Sequence, residues 1–141
     1  MSNITECMYN CSHNTHMITD VDGVNLNSED AESLATFYKD TVGLKLEDEA
    51  VMGEDQNFYW FKIGDSNLYI IDHSEVKGKN PNPQRMFFNL EVDNFDSEMK
   101  RLDDAGVKKI QDKYHIEGYG WVATYEDPDG NYFQIVQVRP N

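Results

Sequence analysis

The same succession of patterns runs through this chain twice, and that repetition limits the fold more than any other feature. Val24 and Leu26 alternate with Gly23 and Asn25, the signature of a strand with one buried face. Asp30 then suits a helix N-cap. Leu34, Phe37, Tyr38 and Thr41 recur at helical spacing, and Gly43 is a natural stop. Strand-like runs follow at 44–51, 57–63 and 67–72, the last two joined by Gly64-Asp65-Ser66-Asn67. Residues 75–84 hold two of the four prolines and no apolar periodicity, so they read as a linker.

After the linker the order recurs. Residues 87–92 read as a strand. Residues 95–105 read as a helix with Phe95, Met99 and Leu102 on one stripe and Gly106 as its stop. A short strand is expected over 107–112. Two more, 121–126 and 131–138, pair through Asp127-Pro128-Asp129-Gly130, a strong turn. Gly23–Asn27 and Phe87–Glu91 are faintly similar at an offset of 64 residues, which Asn67 and Asn131 share.

A sheet with a helix on one face must cover its other face or leave a pocket. The expected architecture is therefore α+β: two βαβββ modules, about 18–73 and 86–138, placed edge to edge as a curved, cup-like mixed sheet with helices on the outer face. Residues 1–16 are expected to be a flexible extension, and 17–141 a single domain. Val24, Leu26, Phe88, Leu90 and Val92 would pack on the helices. Gly23, Asn25, Phe87, Asn89 and Gln134 would face the cup.

Charge narrows the partners. Asp and Glu number 26 against 12 Lys and Arg, a net charge of −14. Nucleic acid and anionic membranes need the opposite sign, whereas a cationic small molecule would be attracted. No stretch approaches the roughly 20 apolar residues of a membrane span, and no basic start leads into an apolar run. The sequence predicts a cytoplasmic protein. Cys7, Cys11, His13 and His16 are four zinc-type donors packed too tightly for an ordinary zinc finger. His73, after a strand, and His115, in a loop, read as surface residues.

Phe37-Tyr38-Lys39-Asp40-Thr41-Val42-Gly43-Leu44 resembles an FY-x-x-x-L/V-G-L motif, and Asp127-Pro128-Asp129-Gly130-Asn131 resembles a DPDGN hairpin. With Leu90-Glu91-Val92-Asp93 before the second helix, residues 18–138 resemble the vicinal oxygen chelate superfamily. That family groups glyoxalases, ring-cleaving dioxygenases, fosfomycin-resistance enzymes and bleomycin-resistance proteins. The resemblance implies the fold but leaves the chemistry open.

In metal-using members, the first and last strands of each module supply four inward ligands for one divalent ion. The resemblance places those positions here on Gly23, Tyr69, Phe87 and Gln134. Glycine and phenylalanine offer no donor, and an amide is a poor substitute for a carboxylate. No metal and no cofactor are therefore expected, and no catalytic residue can be named. The expected site is an aromatic, amide-lined pocket of Asn25, Tyr69, Phe87, Asn89, Trp121 and Gln134, with Trp60, Phe61, Tyr119 and Tyr132 on or beside the neighbouring strands. It would hold a small cationic or aromatic molecule in a homodimer, antibiotic sequestration being one version. The competing expectation is a metal-dependent lyase, isomerase or dioxygenase.

Overall fold

A computed structural model describes residues 17–138 of the chain. The expected extension 1–16, with Cys7, Cys11, His13 and His16, lies outside the described residues. The first module contains β1 (Gly23–Ser28), α1 (Ala31–Thr36), β2 (Lys45–Met52), β3 (Gln56–Ile63) and β4 (Ser66–Asp72). Asp30 caps α1 by accepting a hydrogen bond from the Ser33 amide. The helix runs on into a π-helical segment, Phe37–Val42, closed when the Gly43 amide donates to the Tyr38 carbonyl at 3.0 Å. Gly43, at φ 92°, takes the left-handed conformation that other residues avoid.

The second module contains β5 (Phe88–Glu91), α2 (Phe95–Asp104), β6 (Lys108–Ile116), β7 (Gly120–Glu126) and β8 (Tyr132–Val138). Asn94 caps α2 through the Ser97 amide. Three boundaries depart from the sequence pattern. β1 begins at Gly23, and Met17–Asp22 carry no regular structure. Phe87 falls just outside β5. β6 continues to Ile116 and takes His115 into a strand, because two register shifts against β7 break the alternation that would have marked it.

Each module folds as a mixed four-stranded sheet, ordered β1-β4-β3-β2 and β5-β8-β7-β6. The β1–β4 and β5–β8 pairs are parallel and all others antiparallel. The expected edge-to-edge joining is absent among the described residues: no ladder connects β1 to β5, and there are two sheets instead of one. Asn25 pairs with Tyr69 and Asn89 with Gln134, so these pairs hold the same place in the two modules.

The modules are joined through their helix-facing sides. Phe61, Leu68 and Ile70 of one sheet share a single core with Tyr125, Phe133 and Ile135 of the other, together with Leu34, Tyr38 and Leu102 of the helical segments. The Tyr38 ring lies 5.7 Å from Phe133 and 6.1 Å from Phe88. Its hydroxyl donates to the Asp127 carboxylate at 2.6 Å. Asp127 also accepts from the Asp129 and Asn131 amides and from the Asn131 side chain. Burial pushes both the Tyr38 phenol and the Asp127 carboxyl upward. Arg101 of α2 donates to the carbonyls of Thr41 and Val42, at the end of the π-helical segment. The two sequence motifs that mark the fold therefore meet each other, and their work is to hold the halves together.

Candidate functional site

Alternation sends Phe61, Leu68 and Ile70 toward the helices, and so sends their neighbours to the opposite, open face of the first sheet. One cross-strand row there runs Asp48, Trp60, Tyr69, Asn25. Phe58 and Ile71 lie in the next row. The rings of Phe58 and Tyr69 stack at 5.8 Å.

Hydrogen bonds fix the polar ends of this platform. The Trp60 indole donates to Asn67 Oδ1 at 2.7 Å, and the Asn67 amide donates to the Asp22 carbonyl at 2.9 Å. The Tyr69 hydroxyl donates to Asp22 Oδ2 at 2.7 Å, a bond that pushes the phenol above its ordinary value. Phe58, Trp60 and Tyr69 all remain half-exposed.

The corresponding face of the second sheet has different chemistry. Gln134 donates to the Thr124 hydroxyl at 2.9 Å, and Asn89 donates to the Tyr119 hydroxyl at 3.2 Å. Val122 and Val136 share this face and are buried. Phe87 lies at its margin, 36% exposed.

Trp121 does not belong with Gln134. It packs against the shared core, with the Lys113 ammonium 4.7 Å above its ring and the His115 ring edge-on at 4.9 Å. Because β7 begins at Gly120, Trp121 is in phase with Ala123 and Tyr125, which face the helices. Phe61 is likewise a core residue. Tyr119 reaches the second face only through its bond to Asn89.

The expected pocket thus divides between two faces. Asn25 and Tyr69 lie on the first face, Asn89 and Gln134 on the second. Neither Tyr69 nor Gln134 lines any of the three main cavities of the described residues. Phe58 and Asp22 are platform residues that the sequence reading missed. The run Asn57–Ile63 is apolar or aromatic nearly throughout, so nothing but its pairing with β4 reveals which rings face outward. Asp22 gave no signal, since its role depends on a tyrosine 47 residues away.

Gly23, Tyr69, Phe87 and Gln134, where the resemblance would put metal ligands, do not present a donor set for a divalent ion. A Cβ on Gly23 would stand 2.5 Å from the Asn67 carbonyl oxygen and 2.9 Å from the Tyr69 ring. That position has neither a donor nor room for one. The Tyr69 hydroxyl is engaged with Asp22, and Gln134 offers a neutral amide already bonded to Thr124. Among the described residues, no three His, Cys, Asp or Glu side chains converge on a point that could hold a metal. His73 and His115 stand apart from both faces. No helix among these residues is long and apolar enough to cross a membrane.

Comparison with known proteins agrees with this architecture. The family model described as Glyoxalase/Bleomycin resistance protein/Dioxygenase superfamily matches residues 16–135. No curated protein matches the chain. Among solved structures, one from Bacillus anthracis assigned to the glyoxalase family superposes with a TM-score of 0.72 at 19% identity, over 88% of this chain and 98% of that one. TnmS3, an antibiotic binding protein from Streptomyces sp. CB03234, superposes at 0.69 with 25% identity, over 87% and 98%. A glyoxylase/bleomycin resistance protein/dioxygenase domain from Frankia sp. EAN1pec superposes at 0.70 with 17% identity, over 86% and 93%.

Proposed function

The chain belongs to the Glyoxalase/Bleomycin resistance protein/Dioxygenase superfamily, and from that premise we propose that it is a small-molecule binding protein whose site needs no metal. The guest is a planar aromatic or cationic molecule held on the Phe58–Trp60–Tyr69 platform. The observation that carries this reading is the Tyr69 ring resting over Gly23, so that aromatic surface fills a place where a ligand-bearing side chain would stand. Asp48 and Asp22 beside the rings favour positive charge, and aromatic faces attract cations. The likeness to TnmS3, named as an antibiotic binding protein, supports the same class, with sequestration of an antibiotic as one form of it.

A homodimer is part of the proposal. In one chain the Asn25–Tyr69 and Asn89–Gln134 pairs share no hydrogen bond and no cavity, so a second copy would set the amide face of one module against the aromatic face of another. The net charge of −14 suits a partner that is neither nucleic acid nor an anionic membrane, and the working place of such a protein is the cytoplasm.

The test is a thermal-shift and calorimetric screen with planar and cationic compounds. A guest present at 100 times its dissociation constant should add about 2.7 kcal/mol of stability. Trp60→Ala should then weaken that guest about tenfold. Zinc and nickel titrations run beside it. A single tightly held ion per chain, with turnover that chelation abolishes, would replace binding by the metal-dependent lyase, isomerase or dioxygenase reading.

A further inference from the structure

A second concavity opens where the edge strands β1 and β5 of the two sheets face each other, and its lining reaches Asn67 beside the aromatic platform and Asn89 of the second face. It is a cleft of about 1120 Å³ between the modules. One wall is β1, β4 and the β3–β4 turn; the other is β5 and the first turn of α2. Val24, Leu68, Phe88 and Leu90 form its apolar surface. Val24 pairs with the buried Leu68 and still leaves 37% of its own surface exposed, so the cleft opens to solvent beside the core.

The rim is acidic. Glu91, Asp93 and Glu98 line it, and among the described residues no Lys, Arg or His does. Glu98 is neutralised by Arg101 at 2.8 Å, whereas Glu91 and Asp93 have no ion-pair partner among the described residues. Phe88, stacked on Phe133 within the core, offers an aromatic wall.

We propose that this inter-module cleft is a second binding site, for a small amphipathic organic cation. The apolar surface would take the body of the molecule, and Glu91, Asp93 and the Phe88 ring would take its charge. Its volume lies just above the roughly 300 to 1,000 Å³ of ligand pockets, which leaves room for a drug-sized guest. An anion would meet carboxylates with no cation to offset them. A bare metal ion would meet an apolar floor.

Tetraphenylphosphonium and tetraphenylborate have nearly the same shape and opposite charge, so calorimetry of the full chain with each separates charge from greasiness. The cation should bind one per chain, at least tenfold tighter than the anion, and should weaken as salt is raised. Glu91→Gln combined with Asp93→Asn should erase that preference. Val24→Trp should fill the cleft and cut cation binding at least tenfold, while Phe58→Ala, a platform change whose ring does not line the cleft, leaves it unchanged. Equal binding of both ions overturns the proposal. So does a cation affinity that survives Val24→Trp, or one that is lost with Phe58→Ala instead, which would assign the cation to the platform. The exposed carboxylate pair carries the test on its own if the tryptophan variant fails to fold, and failure here leaves the platform reading standing.

Discussion

The two modules place an asparagine at the same point of their first strands, Asn25 and Asn89, and differ in what stands across from it. In the first module the partner is Tyr69, part of a stacked aromatic surface. In the second it is Gln134, a neutral amide bonded to the Thr124 hydroxyl. The backbone frame is common and the side-chain chemistry is not. The start of each first strand differs in the same way. Gly23 is walled in by a carbonyl and a ring, whereas Phe87 lies loose at the margin of its sheet. The duplicated frame holds the register, and the open faces are left to diverge.

The sharpest way to break this comparison is to put the same residue into both places. Gly23→His must push a side chain into the Asn67 backbone and should cost about 3 kcal/mol or more in urea unfolding. Phe87→His should stay within about 0.5 kcal/mol, as surface changes do. A Gly23→His protein as stable as the parent would show that the first position is open after all.

Next in size is the bond between the modules. Tyr38→Phe removes the donor to a buried carboxylate and should cost about 2 kcal/mol while unfolding remains a single transition. Two separated transitions would mean that the shared core does not couple the halves without this bond. The same group shapes the alkaline limit. The phenols of Tyr38 and Tyr125 are raised above 10.0 in the folded protein, both chiefly by burial. Their contribution is complete below the unfolded value, and it falls away as pH climbs above it toward the folded values. The melting temperature should drop steeply above pH 10, and Tyr38→Phe should flatten that drop.

The smallest effect is expected on the amide face. Gln134→Leu leaves the Thr124 hydroxyl without its donor and should cost about 1 kcal/mol. In the proposed homodimer it should also weaken a platform guest a few-fold, because the amide face of one copy meets the aromatic face of the other. An unchanged affinity would show that the amide face does not reach the guest and would leave the two faces without a shared task.

Much of the frame is visible in local sequence because local chemistry sets it. Asp30 and Asn94 cap helices with side chains that accept from backbone amides three residues on, Gly43 ends its segment with a positive φ, and the Asp127–Asn131 turn closes on its own amides. The alternation of Val24 with Asn25 and of Leu90 with Asn89 gives each first strand its phase. The site is less visible because its geometry is fixed at long range. Asn57–Ile63 carries rings on both faces, and Trp121 could face either way until the start of β7 is known. The separation of one expected sheet into two depends on edges that no local pattern describes.

The Tyr38–Asp127 contact spans 89 residues of sequence, and two of the rings around Tyr38, Phe88 and Phe133, also come from the later module. A chain leaving the ribosome with its N-terminus first therefore carries an unfinished hydrophobic seam until nearly the last strand is made. Long-separation contacts of this kind slow folding and leave sticky surface exposed in the meantime. Newly made copies should accordingly depend on chaperones, or on slow translation, far more than the finished protein's stability would suggest.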